Sequence, residues 1–243
     1  MPDLNIMLLI GAILLFGYVI KGFTGFGGAA FTLPVMILFM DVKFVVPFTL
    51  LSTLTSNIII WARSRKHVDR SIIWPLIAGY LIGIVPGVFL LKNIDSEWIV
   101  RALGIVIVAY GLNSLVAGSK GLNIKVRKET SVCVGALSGL LAGSTGVGMP
   151  PTIMYLTGKL NKSVLRATAV AVFIPAGIFR FASYLFTGLY TADIFWLYIY
   201  LLPVMLLGIY IGDKMHFKVD EERFTKAMNL LLVLLGIMLI ANP

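Results

Sequence analysis

Two basic residues sit where a hydrophobic chain tolerates them least. Lys21 opens the stretch Lys21-Gly22-Phe23-Thr24-Gly25-Phe26-Gly27-Gly28 directly after an apolar run, and Arg180 lies within another. All eleven acidic residues fall in loops or near the ends of apolar runs, so neither cation has an obvious carboxylate partner in its own span. A charge in hydrocarbon costs about 2.5–3.5 kcal/mol even on a lenient scale, so such a residue faces a cavity, a partner or the interface. The glycines around Lys21 let the backbone take positive φ and let a ligand come close to it. Ala29-Ala30-Phe31 then begins a half-helix whose first amides have no internal partner and carry partial positive charge. The chemistry that this combination supports is anion binding, with the anion as the missing counter-charge.

A second stretch repeats the pattern. Gly143-Ser144-Thr145-Gly146-Val147-Gly148 and Gly22 to Gly27 both read G-x-T-G-[FV]-G, and Pro150-Pro151-Thr152 suits the start of another half-helix. The expected site therefore combines Lys21, Gly22, Thr24, Gly25, Gly27 and Gly28 with Ser144, Thr145, Gly146 and Gly148. Arg180, Asn57 and Thr168 join them from longer spans. Plainer roles compete for some residues. Lys21 and Arg180 can snorkel to the interface. Asn57, with Ser52, Thr53 and Thr55, can make helix–helix hydrogen bonds, and Gly83, Gly87, Gly208 and Gly212 have the four-residue spacing of close helix packing. His67 and His216 fall in basic loops as solvated side chains. Cys133 is the sole cysteine, so neither an intrachain disulfide nor a thiol metal site is expected, and no cofactor is implied.

The elements that position these residues are membrane helices. Of the 243 residues 59% are hydrophobic and 13% charged, with a mean hydropathy of +0.97, far from a soluble domain. In lipid the backbone must satisfy its own hydrogen bonds, and continuous apolar runs without strand alternation favour helices over a barrel. The formal charge of +9 resides in short loops, which fits membrane orientation and not nucleic-acid binding. The N-terminus lacks the basic region and cleavage site of a signal peptide. Trp61, Trp74, Trp98, Tyr190, Trp196 and Tyr198 near span ends read as interfacial anchors.

Runs at 44–62, 71–91, 97–117, 163–187, 191–212 and 222–241 are long enough to cross about 30 Å of hydrocarbon. Those at 29–40, 130–142 and 150–158 are too short, and 4–20 is marginal. The short runs come in pairs joined by the glycine-rich stretches. Phe48-Thr49-Leu50 corresponds to Ala167-Thr168-Ala169, Gly83 and Gly87 to Gly208 and Gly212, and Arg101-Ala102 to Lys226-Ala227. The chain reads as two copies of a unit of roughly 120 residues, a transporter signature. With the loop at 63–70 cytoplasmic, 15 of the 20 Lys and Arg fall in or beside cytoplasmic loops, provided that 130–158 is a hairpin returning to its own side. An odd number of crossings per copy then inverts one against the other. The expected fold is an all-α polytopic membrane protein of two inverted repeats, each a broken or re-entrant helical hairpin plus three transmembrane helices. The first repeat is 1–118 (hairpin 4–40), 119–129 is a cytoplasmic linker, and the second repeat is 130–243 (hairpin 130–158). Both termini are expected outside the cell membrane, and both glycine-rich loops near the bilayer centre.

The glycine-rich stretch Lys21 to Gly28 followed by Pro34, His67-Val68-Asp69 leading to Pro75 and Gly79-Gly83-Gly87, and Gly143 to Gly148 followed by Thr168 resemble the sulfite exporter TauE/SafE family of membrane anion permeases. The resemblance covers nearly the whole chain. It implies a polytopic transporter of small sulfur-containing or organic anions such as sulfite, sulfonates or sulfoacetate, usually moved outward. Met149-Pro150-Pro151 departs from the small residues of many relatives. Partners are then the anion, the bilayer and, if transport is coupled, H+ or Na+. A passive anion channel is the alternative, and an intramembrane serine enzyme a weaker one, because both histidines fall at the surface, away from Ser138 and Ser144.

Overall fold

The computed structural model describes residues 4–24, 27–64, 70–117, 124–215 and 221–243, and every regular element among them is helical. The first five helices are α1 (Leu4–Thr24), α2 (Gly28–Ile37), α3 (Val42–Ser64), α4 (Arg70–Asn93) and α5 (Ser96–Ala117). The next five are α6 (Lys128–Thr145), α7 (Met149–Leu156), α8 (Lys162–Phe186), α9 (Ala192–Met215) and α10 (Glu221–Ala241). Among the described residues six helices are long and apolar enough to cross a membrane, α1, α3, α4, α5, α8 and α9; α10, expected to cross at 222–241, is not one of them, its described apolar stretch being the shorter Lys226–Ala241. Trp74, Phe89, Val116 and Phe186 are exposed on the outer faces. Such an apolar surface suits lipid.

Two boundaries differ from the expected ones. The first run does not stop at residue 20 but continues as helix through Lys21 to Thr24, which makes α1 a full-length candidate span. The run expected at 130–142 extends over the 18 residues Lys128–Thr145. In both cases the first glycine of the motif, Gly22 or Gly143, lies inside the helix, on a face pressed against another helix. A Cβ on Gly22 would come within 2.5 Å of the Ile209 carbonyl oxygen of α9, and one on Gly143 within 2.7 Å of that of Ile84 on α4. The cost of a mid-helix glycine, about 1 kcal/mol, is offset by the close backbone approach that it permits.

Small residues dictate which helices pair. Gly79, Gly83 and Gly87 of α4 meet Gly135, Gly139 and Gly143 of α6, and a Cβ at Gly83 would lie 1.9 Å from the Ala136 carbonyl oxygen. Contacts advance in the same direction along both helices, so α4 and α6 run parallel. Gly208 and Gly212 of α9 pack likewise on Leu15 to Phe23 of α1, also in parallel. The packing role read from the spacing of Gly83, Gly87, Gly208 and Gly212 is thus the observed one. Gly104 of α5 meets Gly236 and Ile240 of α10, whereas Gly111 meets Asn229 and Val233, so that pair is antiparallel. Asn229 also donates to Ser114 Oγ across it at 2.7 Å.

The short helices double back. α2 returns along α1, with Gly28 against Gly17 and Lys21 and with Phe31 edge-on to Phe16. α7 returns along α6, with Thr152 beside Ser138 at 2.9 Å and the Tyr155 hydroxyl 3.0 Å from Ser131. At the end from which α1 starts, Asp41 accepts from Ser96 at 2.9 Å and Lys43 donates to the Lys92 carbonyl at 3.3 Å, tying α3 to the α4–α5 turn. Of the six aromatic residues read as anchors, Trp61, Trp74, Trp98 and Trp196 are exposed. Tyr198 instead pairs with Thr55 at 2.6 Å and Tyr190 donates to the Pro47 carbonyl at 3.2 Å, because both face α3.

Candidate functional site

Lys21 lies in the last turn of α1 and is 3% exposed. Its Nζ donates to the Thr53 carbonyl of α3 at 3.4 Å and sits 5.9 Å from the centre of the Tyr18 ring. Gly27, at φ +88°, turns the chain into α2, and Gly28 brings the start of that helix against the lysine stem. A Cβ at Gly28 would stand 2.9 Å from Lys21 Cβ, a distance only glycine avoids without displacing the side chain.

Arg180, on α8, is 7% exposed and serves the other hairpin. Its Nη1 donates to the carbonyls of Ala142 at 2.6 Å and Gly146 at 3.3 Å, the open C-terminal end of α6. A cation is favoured there by the helix dipole. The Tyr184 hydroxyl adds a bond to the Gly143 carbonyl at 2.9 Å. Tyr80 of α4 donates to the Gly148 carbonyl at 2.9 Å and meets Thr152 at 3.1 Å, and Thr152 in turn meets Ser138. The turn at Gly146, where φ is +80°, is therefore held from two helices at once. Arg180 Nε is buried without a hydrogen-bond partner.

Both cations line one open cleft between the two hairpin turns, about 730 Å³ of empty space when its solvent-open mouth is counted. Its long-helix walls are Leu50 to Asn57 of α3, Tyr80 and Ile84 of α4, and Val170 to Arg180 of α8. These stretches fall around the middle of α3 (Val42–Ser64) and α4 (Arg70–Asn93), and from the middle of α8 (Lys162–Phe186) toward its end. The cleft therefore lies beside the middle of α3 and α4 and the last turn of α1. No carboxylate is among its described lining residues, so charge from Lys21 and Arg180 is met there only by carbonyl oxygens.

Of the residues expected at the site, the structure brings Lys21, Gly27, Gly28, Asn57, Gly146, Gly148 and Arg180 to this cleft. Others do other work. Gly22 faces α9. Ser144 Oγ donates to the Leu140 carbonyl at 2.8 Å and Thr145 Oγ1 to that of Leu141 at 2.8 Å, because inside a helix such hydroxyls bond back one turn. Thr168 is fully buried and does not line the cleft. Gly25 and the side chain of Thr24 lie outside the described residues. Sequence reasoning missed Tyr80 and Phe173, which also line the cleft. The two short helices offer unequal N-termini, as the departure at Met149-Pro150-Pro151 left open. Gly28, Ala29 and Ala30 all carry amide hydrogens, whereas Pro150 and Pro151 leave only Met149 among the first three residues of α7. The Val147 amide is already directed to Thr145 Oγ1 at 3.4 Å.

Comparison with known proteins gives one finding. The family described as Sulfite exporter TauE/SafE matches residues 9–239. No curated protein and no solved structure matches the chain. The match spans both hairpins, the six long apolar helices and the cleft between them. The chain belongs to the sulfite exporter TauE/SafE family, and is a multi-pass membrane protein of an anion-transporter family.

Proposed function

We propose that this protein is a secondary transporter that moves small sulfur-containing or organic anions, such as sulfite, a sulfonate or sulfoacetate, out of the cell. The anion is held in the cleft between the two hairpin turns. One observation carries this reading: two buried cations from different helices line a single cleft without a carboxylate among its described residues. Lys21 and the amides of Gly28, Ala29 and Ala30 supply donors from one side, and Arg180 supplies charge from the other. Gly27, Gly146 and Gly148 shape the turns, and Asn57 adds a polar contact from α3.

Alternating access is supported by the packing. α4 packs on α6 as α9 packs on α1, and α3 and α5 pack on α8 and α10, their counterparts by position. The antiparallel course of α5 and α10 fits two repeats, 1–118 and 130–243, related by inversion, with the hairpin of each entering from its own face. Both termini and the loops at 41, 95 and 191 then lie outside the cell membrane. An inside-negative potential drives a monovalent anion outward by about 2.3 kcal/mol per 100 mV, so export can run without H+ or Na+.

The test is sulfite and sulfoacetate efflux from proteoliposomes containing wild type, Lys21→Ala or Arg180→Ala. Loss of flux in both variants at wild-type incorporation supports the reading. Normal flux in both rejects the site.

A further inference from the structure

A second group of cations lies at the opposite end of α6 from the cleft. Lys125, Arg127 and Lys128 are all exposed there, and Glu129 is the one acid among residues 124–130. Residues 124–127 precede the helix, and Arg127 has extended backbone at φ −136° and ψ 163°. In an extended chain successive side chains point to opposite sides, which sets Ile124 and Val126 on one side and Lys125 and Arg127 on the other. Both apolar side chains are 39% exposed.

Tyr155 of α7 fastens this segment and adds a fourth cation. Thr130 Oγ1 accepts from the Arg127 amide at 3.0 Å and donates to the Lys125 carbonyl at 2.9 Å. The Tyr155 hydroxyl lies 3.0 Å from both Thr130 Oγ1 and Ser131 Oγ. On the other side of the same residue, the Lys159 ammonium donates to the Tyr155 carbonyl and sits 4.3 Å from the centre of its ring. One tyrosine therefore joins the start of α6 to the end of α7, with basic groups on both.

Height in the bundle says which anion suits them. Along the parallel pair α4 and α6, the Leu76 carbonyl meets Gly135 and the Val132 carbonyl meets Gly79. That register brings Trp74 level with the first turn of α6, and Trp74 is exposed. An exposed tryptophan at a span end marks the headgroup level of a bilayer. A small free anion there would engage the basic side chains alone. A phospholipid engages both sides of the segment, its phosphate at the cations and its acyl region at Ile124 and Val126.

We infer that the start of α6 is a docking surface for an anionic phospholipid such as phosphatidylglycerol. Lys125, Arg127, Lys128 and Lys159 grip its headgroup, and Ile124 and Val126 lie against its acyl chains. Tyr155 is a positioning residue that holds the two basic elements together.

The experiment is native mass spectrometry of the intact protein in detergent, titrated with phosphatidylglycerol or phosphatidylcholine. Wild type is expected to bind the first phosphatidylglycerol several-fold more tightly than phosphatidylcholine. In the triple variant Lys125→Gln, Arg127→Gln, Lys128→Gln, whose replaced side chains are exposed, the ratio is expected to fall close to one. Lys159→Gln is expected to lower it by a smaller factor, and carries the test should the triple variant not fold. Equimolar glycerol 3-phosphate, which has the charge without the tail, is expected not to displace the lipid. Equal binding of the two lipids by wild type overturns the inference. An undiminished preference in the folded variants, or displacement by glycerol 3-phosphate, overturns it as well.

Discussion

Lys21 and Arg180 look alike in the sequence, as lone cations in apolar runs, yet the structure gives them different work. Lys21 makes one long bond to a carbonyl and otherwise faces the cleft, so its charge is available to a ligand. Replacing it with Ala removes a charge-assisted interaction worth about 1.5–3 kcal/mol, and anion affinity should fall roughly ten- to hundredfold in a direct binding measurement. Arg180 holds the end of α6. Arg180→Ala should therefore also destabilise the fold by about 2 kcal/mol in a denaturation assay in mixed micelles, with Arg180→Lys recovering part of it. Tyr80→Phe tests the same turn with no change in charge. Losing its bond to the Gly148 carbonyl should cost about 1 kcal/mol. The two cations were legible because charge in hydrocarbon always needs a reason. Tyr80 was not, because a tyrosine within an apolar run gives no sign of where its hydroxyl ends.

At the level of elements, glycine does two jobs that sequence spacing separates only in part. Gly83 and Gly212 sit at interfaces where a Cβ would meet a carbonyl oxygen at 1.9 and 2.1 Å. Gly83→Ala and Gly212→Ala should each push a helix pair apart and lower the thermal midpoint measured in detergent by several degrees. Gly11→Ala, whose Cβ would meet only Leu201 at an ordinary 3.6 Å, should leave it unchanged. The i, i+4 rhythm of Gly79, Gly83 and Gly87 announced this packing. Gly22 and Gly143 were read as loop because they stand beside other glycines in G-x-T-G-x-G, and the motif cannot say at which glycine a helix ends. Their packing partners, α9 and α4, are distant in sequence. For the same reason Ser144 and Thr145, expected in a loop, turn out to be helical and bonded to their own backbone.

For the whole molecule, the helical membrane fold and its pairing into hairpins were readable from hydropathy and from the side on which the Lys and Arg fall. The packing of α4 on α6 and α9 on α1 was not, since it rests on shape complementarity between non-neighbouring helices. The proposed inverted arrangement makes a topological prediction. In a Cys133→Ser background, Asp95→Cys and Thr191→Cys should react with an impermeant thiol reagent from outside, and Lys125→Cys and Lys159→Cys only from inside. Lys159→Cys labelled from outside would mean that α6 and α7 cross together once, and the inversion would fail. The central claim is that a cleft between two hairpins carries anions through alternating access by way of Lys21. Counterflow of labelled sulfite into proteoliposomes preloaded with unlabelled sulfite tests it most directly. Transient, saturable accumulation by wild type and its absence in Lys21→Ala is the predicted result. No accumulation by wild type despite rapid flux, as in a channel, or undiminished accumulation by Lys21→Ala, would contradict it.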